Sequence, residues 1–186
     1  MRKSNEEAAK TRQTIVATAA DELRRSGIAE ASVADIMAAA GLTPGGFYRH
    51  FESKDHLVAE ALEKAGDQVA GSMRKVLGEA GLDDAVDAYI DGTKAGGKAV
   101  PSCPISSLGS ELARSGPQTR EAATKVLEDM FSVFGTGPAG TRATRRKGMA
   151  AFAMLVGALT LARITTDEEM ADEILDVARQ KLHRAG

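Results

Sequence analysis

Apolar residues recur every three to four positions along most of the chain, the spacing that gathers them on one face of an α-helix. Val33, Ile36, Met37 and Ala40 form one such stripe, and Leu57, Ala61, Ala65, Val69 and Met73 form another. Ala122, Val126, Met130, Val133 and Phe134 make a third, and the segment from Met170 to Leu182 a fourth. With the run TRQTIVATAADELRRSG near the start, this pattern predicts helices over 11–27, 54–77, 83–95, 105–114, 118–134, 145–165 and 167–184. GEAGLDD breaks one helix from the next, and GTKAGGKAVPSCP and GTGPAGTRATRR read as loops, because Gly and Pro punctuate regular structure. MAAFAMLVGALTLA is apolar nearly all the way round, so a helix over it needs cover on most sides. Gly157 and Ala158 leave room there for another helix.

One stretch carries more than packing information: SVADIMAAAGLTPGGFYRHF, from Ser32 to Phe51. Ser32 is placed to cap a short helix, and Asp35 suits its positive end. Gly41 stops that helix in a left-handed turn. Thr43 is placed to cap the next one, and Pro44 fits its first position. Leu42, Phe47 and Phe51 point inward, leaving Gly45, Gly46, Tyr48, Arg49 and His50 toward the exposed side. Two helices joined by a tight turn, with an aromatic and basic surface on the second, make a helix-turn-helix suited to the major groove. Tyr48 and His50 can bond phosphates, and Arg49 a phosphate or a guanine edge. Gly45 and Gly46 weaken a helix and make sense where backbone must come close to another surface. Ser53 is placed to cap a third helix, with Lys54 at its N-terminus, where N–H groups and a cation together suit a phosphate. The same local pattern also fits a small three-helix packing unit whose Tyr and Arg are merely solvated.

The segment from about Thr11 to Leu62 resembles the N-terminal domain of TetR-family transcriptional regulators. It has the first helix TRQTIVATAADELRRSG, the second SVADIMAAAGL, the recognition helix TPGGFYRHF, and the following F-x-x-K-x-x-L pattern as FESKDHL. The resemblance implies that Ser32, Thr43, Tyr48, His50 and Lys54 contact phosphates while Pro44, Gly45, Gly46 and Arg49 lie against base edges. With so few side chains on that surface, DNA shape carries part of the specificity. It also implies that the last two helices pair with those of a second copy in a four-helix bundle. The two-fold pairing sets two recognition helices for successive major-groove faces.

The expected architecture is all-α, with about nine helices by the periodic pattern. A helix-turn-helix DNA-binding domain spans 1–53, and a helical ligand-binding and dimerisation domain spans 54–186. The composition agrees: aromatics are 4% and β-branched runs are scarce. The net charge of −2 does not by itself suggest a DNA binder. Residues 1–56 hold as many acidic as basic residues, so any positive surface comes from placement. Arg2, Lys3, Lys10 and Arg12 precede the first helix core, either as an arm against DNA or as a solvated tail. The N-terminus lacks the apolar core of a signal peptide, and the uncharged run over 148–162 is shorter than the roughly 20 residues of a membrane span. The expected location is the cytoplasm.

No enzyme signature is present. His50, His56 and His183 lack metal-ligand spacing, the Gly-rich stretches lack a Walker Lys-Ser/Thr, and no cofactor is expected. Cys103 in PSCPIS precedes a helix start, which lowers a thiol pKa and makes an oxidant or electrophile sensor conceivable. The plainer reading is a small buried residue lining a pocket. Tyr89, Cys103, Met130, Phe131, Phe134, Met149, Phe152 and Met154 are the expected lining of an effector pocket, although ordinary core packing explains each singly. Few charged residues occur among them, which points to an uncharged or weakly polar ligand. The sum is a homodimeric repressor, released from a palindromic operator by a small apolar effector. An activator cannot be told from a repressor by sequence. A ligand-binding or enzymatic helical protein with a vestigial helix-turn-helix is the competing reading.

Overall fold

Periodic apolar stripes become helices throughout the computed structural model, which describes residues 2–94 and 102–184. In order they are α1 (Arg2–Glu30), α2 (Val33–Ala39), a 3-10 helix (Pro44–Arg49), α3 (Lys54–Glu79), α4 (Leu82–Lys94), α5 (Pro104–Leu112), α6 (Pro117–Phe134), α7 (Arg142–Ile164) and α8 (Glu168–His183). No strand occurs among the described residues. Most of the loop expected over 92–104 lies outside them, at 95–101.

Packing divides the chain into two units, 1–65 with 108–125, and 66–107 with 126–186. The helices α3, α5 and α6 therefore each run from one unit into the other.

In the first unit Ile15, Ala19, Leu23, Ile36, Met37, Phe47, Phe51, Leu57 and Leu62 are buried. Burying each large apolar side chain contributes roughly 1.5–3 kcal/mol. α1 is longer than its apolar stripe predicts. It begins at Arg2, so the segment read as either an arm or a solvated tail is the first part of a helix, and it breaks at Gly27 (φ +87°). That conformation costs an L side chain energy but suits glycine. The Glu111 carboxylate sits beside the break and accepts the Ala29 N–H at 2.8 Å. The Thr119 hydroxyl donates to Asp55 Oδ1 at 2.6 Å. These two bonds hold the 108–125 segment to α1 and α3.

In the second unit Tyr89, Ile90, Phe134, Phe152, Leu155, Leu175 and Leu182 are buried. The aromatic rings interlock: Tyr89 meets Phe134 edge-on at 5.6 Å, and Phe134 stacks on Phe152 at 6.1 Å. Helices α6 and α7 cross so closely that a Cβ at Gly148 would stand 1.9 Å from the Phe131 carbonyl oxygen. Arg179 on α8 ties that helix to α4 through Asp87 at 3.3 Å and through Asp91. Thr141 caps α7, accepting the Thr144 N–H at 3.1 Å, so this helix starts at Arg142, ahead of the predicted 145.

Candidate nucleic-acid interface

Local sequence rules account for the frame of the helix-turn-helix. Ser32 caps α2, its hydroxyl oxygen accepting the Asp35 N–H at 3.1 Å. The Asp35 carboxylate answers by accepting from the Ser32 hydroxyl. Gly41 takes φ +73° and turns the chain out of α2. Ser53 caps α3 by accepting the His56 N–H at 3.1 Å. Phe47 and Phe51 are buried as predicted, with ring centroids 5.6 Å apart.

Two details differ from the expectation. The second helix is a single 3-10 segment of six residues rather than an α-helix. Thr43 has the extended backbone of a cap residue, yet its hydroxyl makes no cap bond. Two glycines in six positions lower the helix propensity of the segment, and the buried Phe47 and Phe51 fix where it lies.

From Thr43 to His50 only Phe47 is buried. Tyr48 is 78% exposed, its ring set edge-on against Phe47 at 5.1 Å. The Arg49 side chain is exposed and makes no hydrogen bond or ion pair among the described residues. Thr43, Pro44 and Gly45 are exposed, and Gly46 and His50 half-buried. Neither glycine has positive φ. A Cβ at Gly45 would meet nothing within 4 Å, and one at Gly46 only Met37 Cε at 3.7 Å. Nothing inside the protein requires glycine at either position.

Ser32 and Lys54 stand apart from this stretch, at the starts of α2 and α3. The Ser32 hydroxyl is engaged in its cap. Lys54 is half-buried and its ammonium donates to the Ile28 carbonyl at 2.6 Å, leaving two of its three donors.

Arg12, read from the sequence as part of an arm or a solvated tail, instead turns inward: Nη1 and Nη2 donate to the Glu60 carboxylate, Nε donates to the His50 carbonyl at 3.3 Å, and the guanidinium lies 4.5 Å from the centre of the Phe51 ring. The Arg12 hydrogen bonds hold the Glu60 carboxyl below its ordinary pKa, and those bonds raise the Arg12 pKa in turn. His56 Nε2 lies 2.9 Å from the same carboxylate. Only the i,i+4 spacing of His56 and Glu60 is legible locally. The Arg12 partners are 38 and 48 positions away, beyond any periodic signal.

The residues expected to line an effector pocket differ in burial. Tyr89, Cys103, Met130, Phe134 and Phe152 are buried, while Phe131 and Met149 are half-buried. Met154 is exposed, and with Phe134 it borders a crevice of about 210 Å³ whose other walls include Leu82, Val86 and Leu182. Burial pushes the Cys103 thiol above its ordinary pKa, outweighing the hydrogen bonds that favour thiolate. Cys103 is fully buried, as the plainer reading of a small buried residue expects. The Tyr89 hydroxyl is buried beside the Cys103 thiol and Ser106, and burial raises its pKa well above the ordinary value. Among the described residues, no group of three or more His, Cys, Asp or Glu could hold a metal ion.

A large part of α7 and α8 is uncovered. Leu161, Ile164, Met170 and Val177 are half or more exposed, Ile164 at 71%. By length and composition α7 is long and apolar enough to cross a membrane, with a mean hydropathy of 1.4 over its most apolar window.

A helix-turn-helix with an exposed Tyr-Arg surface defines a DNA-binding class of protein. Comparison with known proteins gives the family. Residues 15–61 match the family described as "Bacterial regulatory proteins, tetR family". The HTH-type transcriptional regulator TtgR of Pseudomonas putida is 34% identical over 92 residues, 41% of this chain and 44% of that protein. The match thus spans less than half the length of that curated relative. The crystal structure of a TetR transcriptional regulator from Chloroflexus aurantiacus is 30% identical, covers 98% of this chain and 94% of its own, and has a TM-score of 0.68. A TetR-family regulator from Cytophaga hutchinsonii shares the fold at TM-score 0.75 and 19% identity, over 95% of each chain. The chain belongs to the TetR family of transcriptional regulators.

Proposed function

We propose that the protein is a DNA-binding transcriptional repressor that acts in the cytoplasm as a homodimer on a palindromic operator and leaves it when a small, weakly polar effector binds. The observation that carries the DNA-binding part is the 3-10 segment: Tyr48 and Arg49 stand exposed beside two glycines that nothing within the protein requires. Tyr48, His50, Thr43, Ser32 and Lys54 are the proposed phosphate contacts. Arg49 with Pro44, Gly45 and Gly46 is the proposed base-edge surface, its backbone close enough to read groove shape.

The uncovered apolar face of α7 and α8 supports dimerisation through these helices, since contiguous apolar surface of this kind marks a partner. The buried Tyr89 hydroxyl beside the Cys103 thiol, among the rings of Phe134 and Phe152, supports an effector site in the second unit, since a few polar groups in an apolar setting are what orient a weakly polar ligand. The effector must bind the DNA-incompetent state more tightly, or it shifts nothing. The continuous helix α3, which belongs to both units, is the proposed path of the signal.

Sequencing genomic fragments captured by the purified protein at moderate salt tests the reading. A palindrome with half-sites about 34–36 Å apart, one helical turn, is expected. On the recovered duplex Tyr48→Ala should weaken binding about tenfold, the scale of one charge-assisted hydrogen bond. A folded dimer that enriches no sequence and shows no salt-dependent duplex binding would instead establish a vestigial helix-turn-helix.

A further inference from the structure

We propose that Arg12 is a positioning residue for DNA recognition: held by Glu60, its guanidinium clamps the C-terminal end of Pro44–Arg49 through the His50 carbonyl and the Phe51 ring, and so sets how Tyr48 and Arg49 are presented. The inference rests on the DNA-binding reading above.

The recognition segment cannot hold itself. Six residues of 3-10 helix make few hydrogen bonds, and two glycines raise the entropy lost on ordering them. Below, Phe47 and Phe51 anchor it in the core. At its end the last carbonyls have no partner within the helix and carry partial negative charge, a place that suits a cation. Arg12 fills it. Its Nε takes the His50 carbonyl at 3.3 Å, and its flat face lies 4.5 Å from the centre of the Phe51 ring. Both terminal nitrogens reach the Glu60 carboxylate, a two-pronged bond that fixes the plane of the guanidinium. The side chains of Arg12 and Glu60 are 35% and 28% exposed, sheltered enough for that geometry to persist. The Arg12 hydrogen bonds lower the Glu60 pKa and so favour the carboxylate that holds the fork. A lysine at position 12 would keep the charge but lose both the fork and the stacking.

The test is fluorescence anisotropy on a labelled duplex selected by the wild-type protein from a random-sequence library, over a range of salt concentrations. Wild-type binding is measured first. If no duplex is selected or bound, the DNA-binding reading itself fails, and Arg12 with it. Given wild-type binding, Arg12→Lys and Glu60→Gln should each lose about tenfold or more in affinity, with the salt slope parallel to wild type and helix content by circular dichroism unchanged. The loss from Arg12→Lys should also shrink in a Tyr48→Ala background, because contacting groups that act as one unit are not additive.

Wild-type affinity in Arg12→Lys overturns the proposal. So does a salt slope lower by about 1 in Arg12→Gln, which marks a direct phosphate contact. Tighter binding by Glu60→Gln would show that this carboxylate only repels DNA. An affinity loss that merely follows the folded fraction, or one that adds in full to Tyr48→Ala, reduces the clamp to an ordinary structural ion pair. Should Arg12→Gln fail to fold, Arg12→Lys and Glu60→Gln decide.

Discussion

Gly45 and Gly46 lower the helix propensity of the segment that carries recognition, and no neighbouring atom and no positive φ explains them. Alanine would be favoured there by up to about 1 kcal/mol each if folding alone mattered. Gly45→Ala should therefore leave the chemical-denaturation midpoint unchanged or raise it, while weakening binding to the selected duplex. An unchanged affinity would mean that DNA does not occupy the open space beside Gly45. Cys103 teaches the opposite lesson. Its place before a helix suggests a low thiol pKa, but full burial outweighs that influence, because desolvation penalises the charged form throughout the interior while a helix end acts only locally.

Among the elements, α2 and the start of α3 obey their capping residues, and Gly41 turns the chain where a left-handed conformation is needed. The segment Pro44–Arg49 is 3-10 rather than α-helical, with two glycines that lower its helix propensity and with Phe47 and Phe51 buried to fix its place. The α6–α7 crossing depends on an absent side chain that no periodicity reveals. A Cβ at Gly148 would collide with the Phe131 carbonyl, a backbone atom that cannot rotate away. Gly148→Ala should cost about 3 kcal/mol or more, at the upper end of overpacking effects. Thermal unfolding followed at the helical band measures it, and a midpoint equal to wild type would show that the two helices are not so close.

At the scale of the whole molecule, the uncovered face of α7 and α8 decides the expectation. The proposed dimer rests on α7, an apolar helix with Leu161 and Ile164 in the open. Size-exclusion chromatography with light scattering should give twice the 19.5 kDa chain mass for wild type at micromolar concentration. Leu161→Glu should move it toward the single-chain mass, and with it weaken binding to a two-half-site duplex far more than to a single half-site. A wild-type protein at 19.5 kDa would remove the dimer.

Helical periodicity, glycine stops and cap residues act within a few positions, so the sequence by itself determined the all-helical class, most helix bounds, the helix-turn-helix and the candidate contact residues from Thr43 to His50. Tertiary structure alone decided what depends on distant partners: the inward turn of Arg12 onto Glu60 and His50, the bond from Lys54 to Ile28, the docking of 108–125 by Glu111 and Thr119, and the full burial of Cys103. Spacing along a chain encodes which face a residue occupies, but not which residue tens of positions away will meet it there.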